Sequence, residues 1–311
     1  MMILAAFLAS CAPKETTLTF IETTDNHGRF DDFGHDAACI KQLKTELGNR
    51  LILLDNGDNM QGTTFQYCSN HDTTRPNLCS AFLNHFPFDV AGVGNHDIEA
   101  GKAVFDRVKA ETTMPYLCAN VIDEATGEPY FEPYTILNRD GCKIAVLGLL
   151  TPYVITWVPD RLRPGLRFEQ LESAAEKWVK LIREKEHPDL MVGLFHSGWE
   201  SEDPNALKDT ILGSENATKW VAENVPGFDL IFYGHDHRPK AEAIVNCQGD
   251  TVYVLNAGSR AQNLAKAEVK MVGGKKASIA VEIVPTDGEM QDDDFLALVQ
   301  PDIERAEAYQ N

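Results

Sequence analysis

The sequence predicts an α/β protein in which sheets pack together between layers of helices. Short apolar runs typical of buried strands alternate with amphipathic helix-like segments in both halves of the chain. Strands that pair through tight turns are attached to each half, which favours sheets of mixed rather than purely parallel character. With 311 residues, of which 43% are apolar and 24% charged, the chain is long enough for one large domain with a substantial core.

In the first half, apolar runs predict strands, and apolar residues at helical spacing predict helices. Strands are expected over 18–23, 50–54 and 89–93, and helices over 37–47, 78–86 and 101–110. The turn residues Asp140-Gly141 then predict a hairpin of strands 134–137 and 143–149.

The second half repeats the alternation. A helix is expected over 168–184, with a buried stripe formed by Leu171, Ala175, Trp178, Val179 and Ile182. The later elements are a strand over 191–195, a helix over 216–224 and strands over 228–233, 252–255, 264–271 and 277–284. Gly273-Gly274 marks the last hairpin turn, and an acidic terminal helix is expected over 291–309.

The formal net charge of -19 argues against nucleic-acid binding through a basic patch and against electrostatic docking to anionic lipid. Such acidity would repel an anionic substrate at long range, but bound divalent cations would reverse the field locally.

The N-terminal segment resembles the end of a bacterial lipoprotein signal. An apolar run leads to Leu8-Ala9-Ser10-Cys11, where Cys11 would be lipidated and become the mature N-terminus. The positively charged region expected of a complete signal is missing, so a plain buried strand or a disordered tail is the alternative. We expect an exported protein, periplasmic or anchored in the membrane of a bacterial cell envelope. Six other cysteines then permit disulfides, and Cys68 and Cys79, which bracket a polar loop, are the first pair to test.

Five short polar clusters recur along the chain, most of them directly after a short apolar run. They are Asp25-Asn26-His27, Gly57-Asp58-Asn59, Gly94-Asn95-His96-Asp97, Phe195-His196-Ser197 and Gly234-His235-Asp236-His237. Any one of them alone is more often a helix cap, a turn or a buried histidine. Together they predict strand ends that deliver carboxylate, amide and imidazole ligands for divalent metals to one edge of a sheet.

These clusters, in this order, resemble the signature of the calcineurin-like metallophosphoesterase superfamily: D-x-H, G-D, G-N-H-[DE], an isolated His and G-H-x-H. A more extended likeness is to the N-terminal catalytic domain of 5′-nucleotidases, UDP-sugar hydrolases and 2′,3′-cyclic phosphodiesterases. It includes Thr23-Thr24-Asp25-Asn26-His27-Gly28, Cys118-Ala119-Asn120-Val121 and Asn256-Ala257-Gly258-Ser259. The resemblance implies a four-layer α-β-β-α sandwich of two packed mixed sheets flanked by helices. It divides the chain into a lipoprotein-like signal and tether (1–16), a catalytic domain (17–286) and a linker-like acidic helix (287–311).

The resemblance also implies a ligand set for two divalent ions. One ion is expected on Asp25, His27 and His237, the other on Asn95, His196 and His235, with Asp58 bridging them. This mixture of imidazole, carboxylate and amide suits Mn, Zn, Fe or Co.

By the same resemblance, a water shared by the metals would become hydroxide and attack phosphorus in line with the leaving oxygen. His96 would face the phosphate as an acid or as a transition-state stabiliser. A carboxylate should orient His96; Glu99 stands where the nucleotidases have an aspartate, and Asp97 is the second candidate. Arg29, Asn120 and Arg260 are weaker candidates for contacting substrate.

The expected function is therefore hydrolysis of a phosphate ester, and a nucleotide-type ester is the expected substrate. In the nucleotidases a second, C-terminal domain supplies the aromatic clamp for the base, and we expect that domain to be absent or to be a separate polypeptide. The alternatives are the catalytic subunit of a split nucleotidase, which needs such a partner, and a non-catalytic protein that binds metal or phosphate.

Overall fold

The structure is a computed structural model that describes residues 14–200, 212–286, 288 and 290–310. Cys11 and the lipoprotein-like segment lie outside the described residues. Within them, the strands are β1 Glu15–Thr23, β2 Leu51–Asp55, β3 Val90–Gly92, β4 Tyr116–Leu117, β5 Val121–Asp123, β6 Tyr134–Arg139, β7 Cys142–Leu150, β8 Leu166–Phe168, β9 Leu190–His196, β10 Leu230–Tyr233, β11 Lys240–Val245, β12 Thr251–Asn256, β13 Asn263–Val272 and β14 Lys275–Pro285. The helices are α1 Gly34–Leu47, α2 Thr64–His71, α3 Leu78–His85, α4 Asn95–Glu99, α5 Lys102–Glu111, α6 Val154–Trp157, α7 Leu171–Glu186, α8 Thr218–Asn224 and α9 Asp293–Gln310.

The strands form two large mixed sheets. The first has the order β14-β13-β1-β2-β3-β4 and the second the order β11-β12-β10-β9-β7-β6, while β5 and β8 form a small separate pair. Strands β1, β2 and β3 are parallel neighbours, and so are β7, β9, β10 and β12. The carboxyl ends of neighbouring parallel strands meet at one edge, so each sheet has one edge where the loops after its central strands gather.

Alternating side chains separate three layers of core. On β1, Phe20 packs between the two sheets, whereas its neighbour Ile21 packs against α1, α3, α5 and α9. On β9, Val192 faces the space between the sheets, whereas Met191 packs against α7 and α8. Because side chains alternate across a strand, each sheet buries both faces. The expected four-layer α-β-β-α sandwich is confirmed.

Both predicted hairpin turns are confirmed as two-residue turns. Arg139 pairs with Cys142 across Asp140-Gly141, and Val272 pairs with Lys275 across Gly273-Gly274. All four turn residues have positive φ, between 50° and 84°. Such turns match the right-handed twist of the flanking strands, which is why Asp-Gly and Gly-Gly are favoured in them.

Some elements differ from the expectation. The residues between Cys68 and Cys79 include the end of α2, a helix that begins after Thr63, whose side chain accepts a hydrogen bond from the Gln66 amide. The predicted helix over 168–184 begins only at Leu171, because residues 166–168 pair with β5. Strand β11 was also missed; it lies at the edge of its sheet, and because none of its residues is fully buried, its pattern is not apolar.

The six cysteines within the described residues are all free. Cys68 lies on α2 and Cys79 is fully buried on α3, so the suggested Cys68–Cys79 disulfide is not formed. No helix among the described residues is long and apolar enough to cross a membrane.

The terminal helix α9 packs on the first sheet's helical layer. Phe295 is fully buried and lies 5.2 Å, between ring centroids, from Phe86 and 5.6 Å from Phe33. Val299 is buried in the same core. The domain boundary drawn at residue 286 remains a prediction, but the helix beyond it shares a core with the preceding residues.

Candidate metal centre

The predicted ligands lie where the parallel strands end. Asp25 and Asp58 follow β1 and β2, Asn95 follows β3, His196 is the last residue of β9, and His235 follows β10. Backbone hydrogen bonds join these loops: the amide of Asp25 donates to the Gly57 carbonyl at 3.0 Å, and that of His27 donates to the Asp58 carbonyl at 2.9 Å. The expected meeting of five strand ends at one edge is therefore what the fold produces.

Buried hydrogen bonds also join the two sheets at this edge. The side-chain amide of Asn56 donates to the Phe195 carbonyl at 3.0 Å, and Nδ1 of His196 lies 2.8 Å from the Asn56 carbonyl. The amide of His235 donates to Oδ2 of Asp25 at 3.0 Å. Predicted ligands from different sheets are thus held in a fixed relation to one another.

The backbone at this edge adopts left-handed conformations that side chains rarely take. Among the described residues nine that are not glycine have positive φ, and five of them are predicted ligands: Asp25, His27, Asp58, His235 and His237. Each such residue costs of order 1–3 kcal/mol and persists only where surrounding contacts enforce it. This backbone strain is therefore concentrated in the loops that carry the predicted metal ligands.

Three overlapping groups of side chains have ligand atoms within 4.8 Å of one another. One group, formed by Asp25, His27 and His237, is the set predicted for the first ion. Another, formed by Asp58, His196 and His235, contains the predicted bridging carboxylate and two of the three ligands predicted for the second ion. Asp58 also groups with His27 and His96, so it lies between the two halves of the cluster.

Two ligand atoms are buried without a hydrogen bond, Oδ1 of Asp25 and Oδ1 of Asn95. Nε2 of His196 lies 3.1 Å from Oδ2 of Asp58. Buried polar atoms are normally paired, so unpaired ones need an explanation. Around Oδ1 of Asp25, Nε2 of His237, His196 and His27 lie at 3.3, 3.7 and 3.9 Å. Ligands about 2.0–2.2 Å from one ion are separated by roughly 3–4 Å, so these residues fit a divalent metal.

The charges of the cluster depend on one another. Burial opposes ionisation of Asp58, but the imidazoles of His196, His96 and His27 outweigh it and hold the pKa of Asp58 well below its usual range. Burial also opposes protonation of His196, yet the carboxylates of Asp58 and Asp25 raise its pKa to about 10. Without metal, a proton on His196 therefore stabilises the carboxylates, and a bound cation would replace that proton.

His96 has a carboxylate partner, and it is Glu99. Nδ1 of His96 lies 2.5 Å from Oε2 of Glu99, one turn later on the chain. The other candidate, Asp97, is fully buried and its oxygens accept hydrogen bonds from backbone amides instead: those of Asp58, Asn59, Met60 and Gly94, at 2.8–3.1 Å. Asp97 therefore stabilises the two loops that carry Asp58 and Asn95, and the suggestion that it orients His96 does not match the geometry.

The weaker substrate-binding candidates are placed differently. Asn120 is fully buried and its side chain joins Leu150 and Glu169 through three hydrogen bonds of 2.7–2.9 Å, so it stabilises the fold rather than binding substrate. The side chain of Arg29 pairs with Asp32 at 3.4 Å. Arg260 is exposed, and its backbone amide donates to the Asp25 carbonyl at 3.0 Å. Of these three candidates, only Arg29 and Arg260 have side chains in contact with solvent on the loops near the cluster.

Two residues beside the cluster were missed. Oε1 of Glu215 lies 3.0 Å from Nε2 of His235. The indole of Trp157 packs on the other side of that imidazole, with 5.6 Å between ring centroids. Neither residue belongs to a motif, and both approach His235 only through the tertiary fold, so no sequence signal marks them.

Residues 18–239 match the calcineurin-like phosphoesterase family. Among curated proteins, the chain is 29% identical over 260 residues to a 2′,3′-cyclic-nucleotide 2′-phosphodiesterase/3′-nucleotidase from Yersinia enterocolitica, covering 75% of this chain and 38% of that protein. It is 26% identical to a 5′-nucleotidase from Vibrio cholerae, covering 88% of this chain and 52% of that protein. The chain thus spans about two fifths to one half of these relatives.

Among solved structures, the fold resembles that of the calcineurin-like phosphoesterase YfkN from Bacillus subtilis. The TM-score is 0.80 at 21% identity, and the match covers 95% of this chain and 99% of that one. At this level of identity the likeness concerns the fold alone.

Proposed function

The chain belongs to the calcineurin-like phosphoesterase family, and from this premise we propose that it is a two-metal-dependent hydrolase of phosphate esters, with nucleotide-type esters as its main substrates. The observation that carries the proposal is the clustering of carboxylate and imidazole ligand atoms within 4.8 Å of one another at the meeting of the strand ends, together with buried oxygens of Asp25 and Asn95 that have no hydrogen bond. Such a set is costly for a protein that merely needs a stable loop, and it is accounted for by metal binding.

We assign one ion to Asp25, His27 and His237, and the other to Asn95, His196 and His235, with Asp58 between them. This division is supported by the grouping of their ligand atoms and by the buried amide oxygen of Asn95. The donor set suits Mn, Zn, Fe or Co. When bound, two such ions would acidify water and polarise the oxygens of a phosphate.

His96 has the geometry of a general acid or a transition-state stabiliser. Its ring is 31% exposed and lies 5.3 Å, between centroids, from that of His27, so it borders the cluster and contacts solvent. Because Nδ1 faces Glu99, a proton on Nδ1 is shared with a carboxylate and Nε2 is left for the substrate. Proton donation to the leaving alkoxide from this position is typically worth about 10²–10⁴-fold in rate.

The test compares the wild-type protein with His96→Ala and Glu99→Gln. We expect metal-loaded wild type to hydrolyse at least one of 5′-AMP, 2′,3′-cyclic AMP, UDP-glucose and bis-p-nitrophenyl phosphate, and EDTA to abolish the activity. His96→Ala should lower kcat by about 10²–10⁴-fold. Glu99→Gln should lower it by a smaller factor, since the imidazole remains. Both variants should keep the metal content of wild type.

Two results would oppose the proposal. If no mono-, di- or pyrophosphate ester is hydrolysed by the metal-loaded protein, the chain is a binder rather than an enzyme. If His96→Ala loses metal in proportion to activity, His96 is a ligand, as its grouping with His27 and Asp58 would permit.

A second candidate is the catalytic subunit of a split nucleotidase. One of the chain's relatives is a 5′-nucleotidase, of which this chain covers 52%. In that case hydrolysis of 5′-AMP should rise when a separately produced nucleotidase C-terminal domain is added, while hydrolysis of bis-p-nitrophenyl phosphate should not change.

We further propose export with a lipid on Cys11, supported by the sequence Leu8-Ala9-Ser10-Cys11. In a bacterial host, Cys11→Ser should move the protein from the membrane to the soluble fraction. Equal distribution of the variant and wild type between the fractions would contradict it.

A further inference from the structure

Trp157 is a large aromatic side chain exposed beside the metal-ligand cluster. Its residue surface is 44% exposed. The centroids of its indole and the His235 imidazole are 5.6 Å apart, with 31° between the ring planes. Tyr153, four residues earlier in the chain, has its ring centroid 6.2 Å from that of the indole. The aromatic surface therefore begins at a predicted metal ligand and extends into solvent.

The short helix that carries Trp157 is anchored on both sides. Val154 and Val158 are 0% and 3% exposed and belong to the core beneath the first sheet's helices. The amide of Val158 donates to the Val154 carbonyl at 2.8 Å. The amide of Thr151 donates to the His196 carbonyl at 2.9 Å, which fixes this segment to the strand that ends in a ligand. The indole is thus held at a set position relative to the cluster.

An exposed indole in a fixed position is suited to stacking. Aromatic rings bury large apolar area at small cost in side-chain entropy, and they bind the flat face of a nucleobase without needing a charge. This matters in a chain with a net charge of -19, because stacking does not depend on electrostatic attraction of an anionic ligand. In a nucleotide a ribose separates the base from the phosphate. Trp157 lies next to His235, with 5.6 Å between ring centroids, so a base could contact the indole while its phosphate lies at the ligand cluster.

We propose that Trp157 is a specificity-determining residue that stacks on the base of a nucleotide whose phosphate lies at the metal centre. The inference rests on the proposed function and deepens it. It places a base-binding surface on the catalytic domain itself, formed by residues that no motif marks. The competing role is structural: the indole packs on His235 and only keeps that imidazole in place.

The first experiment compares 5′-AMP with ribose 5-phosphate, which has the same sugar and phosphate but no base. With Mn²⁺-loaded protein, Trp157→Ala should reduce the ratio of kcat/KM for 5′-AMP over ribose 5-phosphate by about 5- to 150-fold, the range for loss of one base–aromatic stack. Trp157→Phe should retain most of the ratio. Ile155→Ala is the matched control, since Ile155 is 36% exposed on the same helix, and it should leave the ratio unchanged.

The second experiment needs no turnover. Adenosine should quench the tryptophan fluorescence of the wild-type protein, and the quenching should be lost in Trp157→Phe. If wild type hydrolyses neither ester but adenosine still quenches Trp157, the proposed function fails and the stacking surface stands.

Three results would overturn the stacking surface. One is an unchanged ratio in Trp157→Ala at full metal content. Another is an equal loss for both esters together with loss of metal, which would show that Trp157 only supports His235. The third is the absence of quenching in wild type at adenosine concentrations that inhibit 5′-AMP hydrolysis.

Discussion

The terminal helix α9 should be part of the cooperative folding unit of the catalytic domain, and Phe295→Ala tests this. Phe295 is fully buried, and its ring centroid lies within 5.2–6.1 Å of those of Phe33, Phe82 and Phe86. Removing a buried phenylalanine ring typically costs about 3–5 kcal/mol, because the cavity closes only in part. At about 1.5 °C per kcal/mol for a chain of this size, the midpoint of thermal unfolding should fall by at least about 4.5 °C.

The assay is urea unfolding followed by circular dichroism, in EDTA so that metal binding does not contribute to stability. With a slope near 3 kcal/mol per molar, the midpoint should fall by about 1–2 M. Leu298→Ala is the control on the same helix, since Leu298 is 37% exposed and should cost less than about 1 kcal/mol. If Phe295→Ala unfolds at the same urea concentration as wild type, α9 does not contribute to the domain's stability and the reasoning is wrong.

Two further predictions concern a loop crossing and a buried acid. A Cβ on Gly94 would collide with Oδ1 of Asp58 and come within 2.7 Å of its Cγ, so Gly94→Ala should weaken metal binding by about 5- to 150-fold in isothermal titration calorimetry. Gly288→Ala is the control, since Gly288 has open space around it, and it should leave the affinity unchanged. Equal affinities of Gly94→Ala and wild type would show that the two loops can separate freely. Asp36 is 1% exposed, and burial raises its pKa to about 7. Between pH 4 and 7 the unfolded chain has lost this proton and the folded chain keeps it. As the pH rises through this range, wild type should therefore lose up to about 1.4 kcal/mol of stability per pH unit relative to Asp36→Asn, measured by urea unfolding. A stability difference between the two proteins that stays constant over this range would argue against the raised pKa.

The sequence alone predicted the fold class, which the structure confirms, and its resemblance to the phosphoesterases supplied the proposed ligand set, whose residues the fold brings to one edge. Strand ends followed by Asp25, Asp58, Asn95, His196 and His235 can be recognised because strand periodicity, turn chemistry and ligand chemistry are all local. The same holds for the two hairpins, where Asp-Gly and Gly-Gly specify the turn. Elements without a local signal were missed, such as the edge strand β11 and the small β5–β8 pair.

The tertiary structure decided what these residues contact. The sequence offers both Asp97 and Glu99 as partners of His96, with Glu99 slightly favoured. The close approach of the Asp58 and Asn95 loops engages Asp97 with backbone amides and leaves Glu99 for the imidazole. Asn120 was a substrate candidate until the fold enclosed it. Trp157 and Glu215 approach His235 from segments far away along the chain. The sequence specifies the chemistry of each side chain. The packing of the two sheets determines which of these groups become neighbours and which stay in solvent.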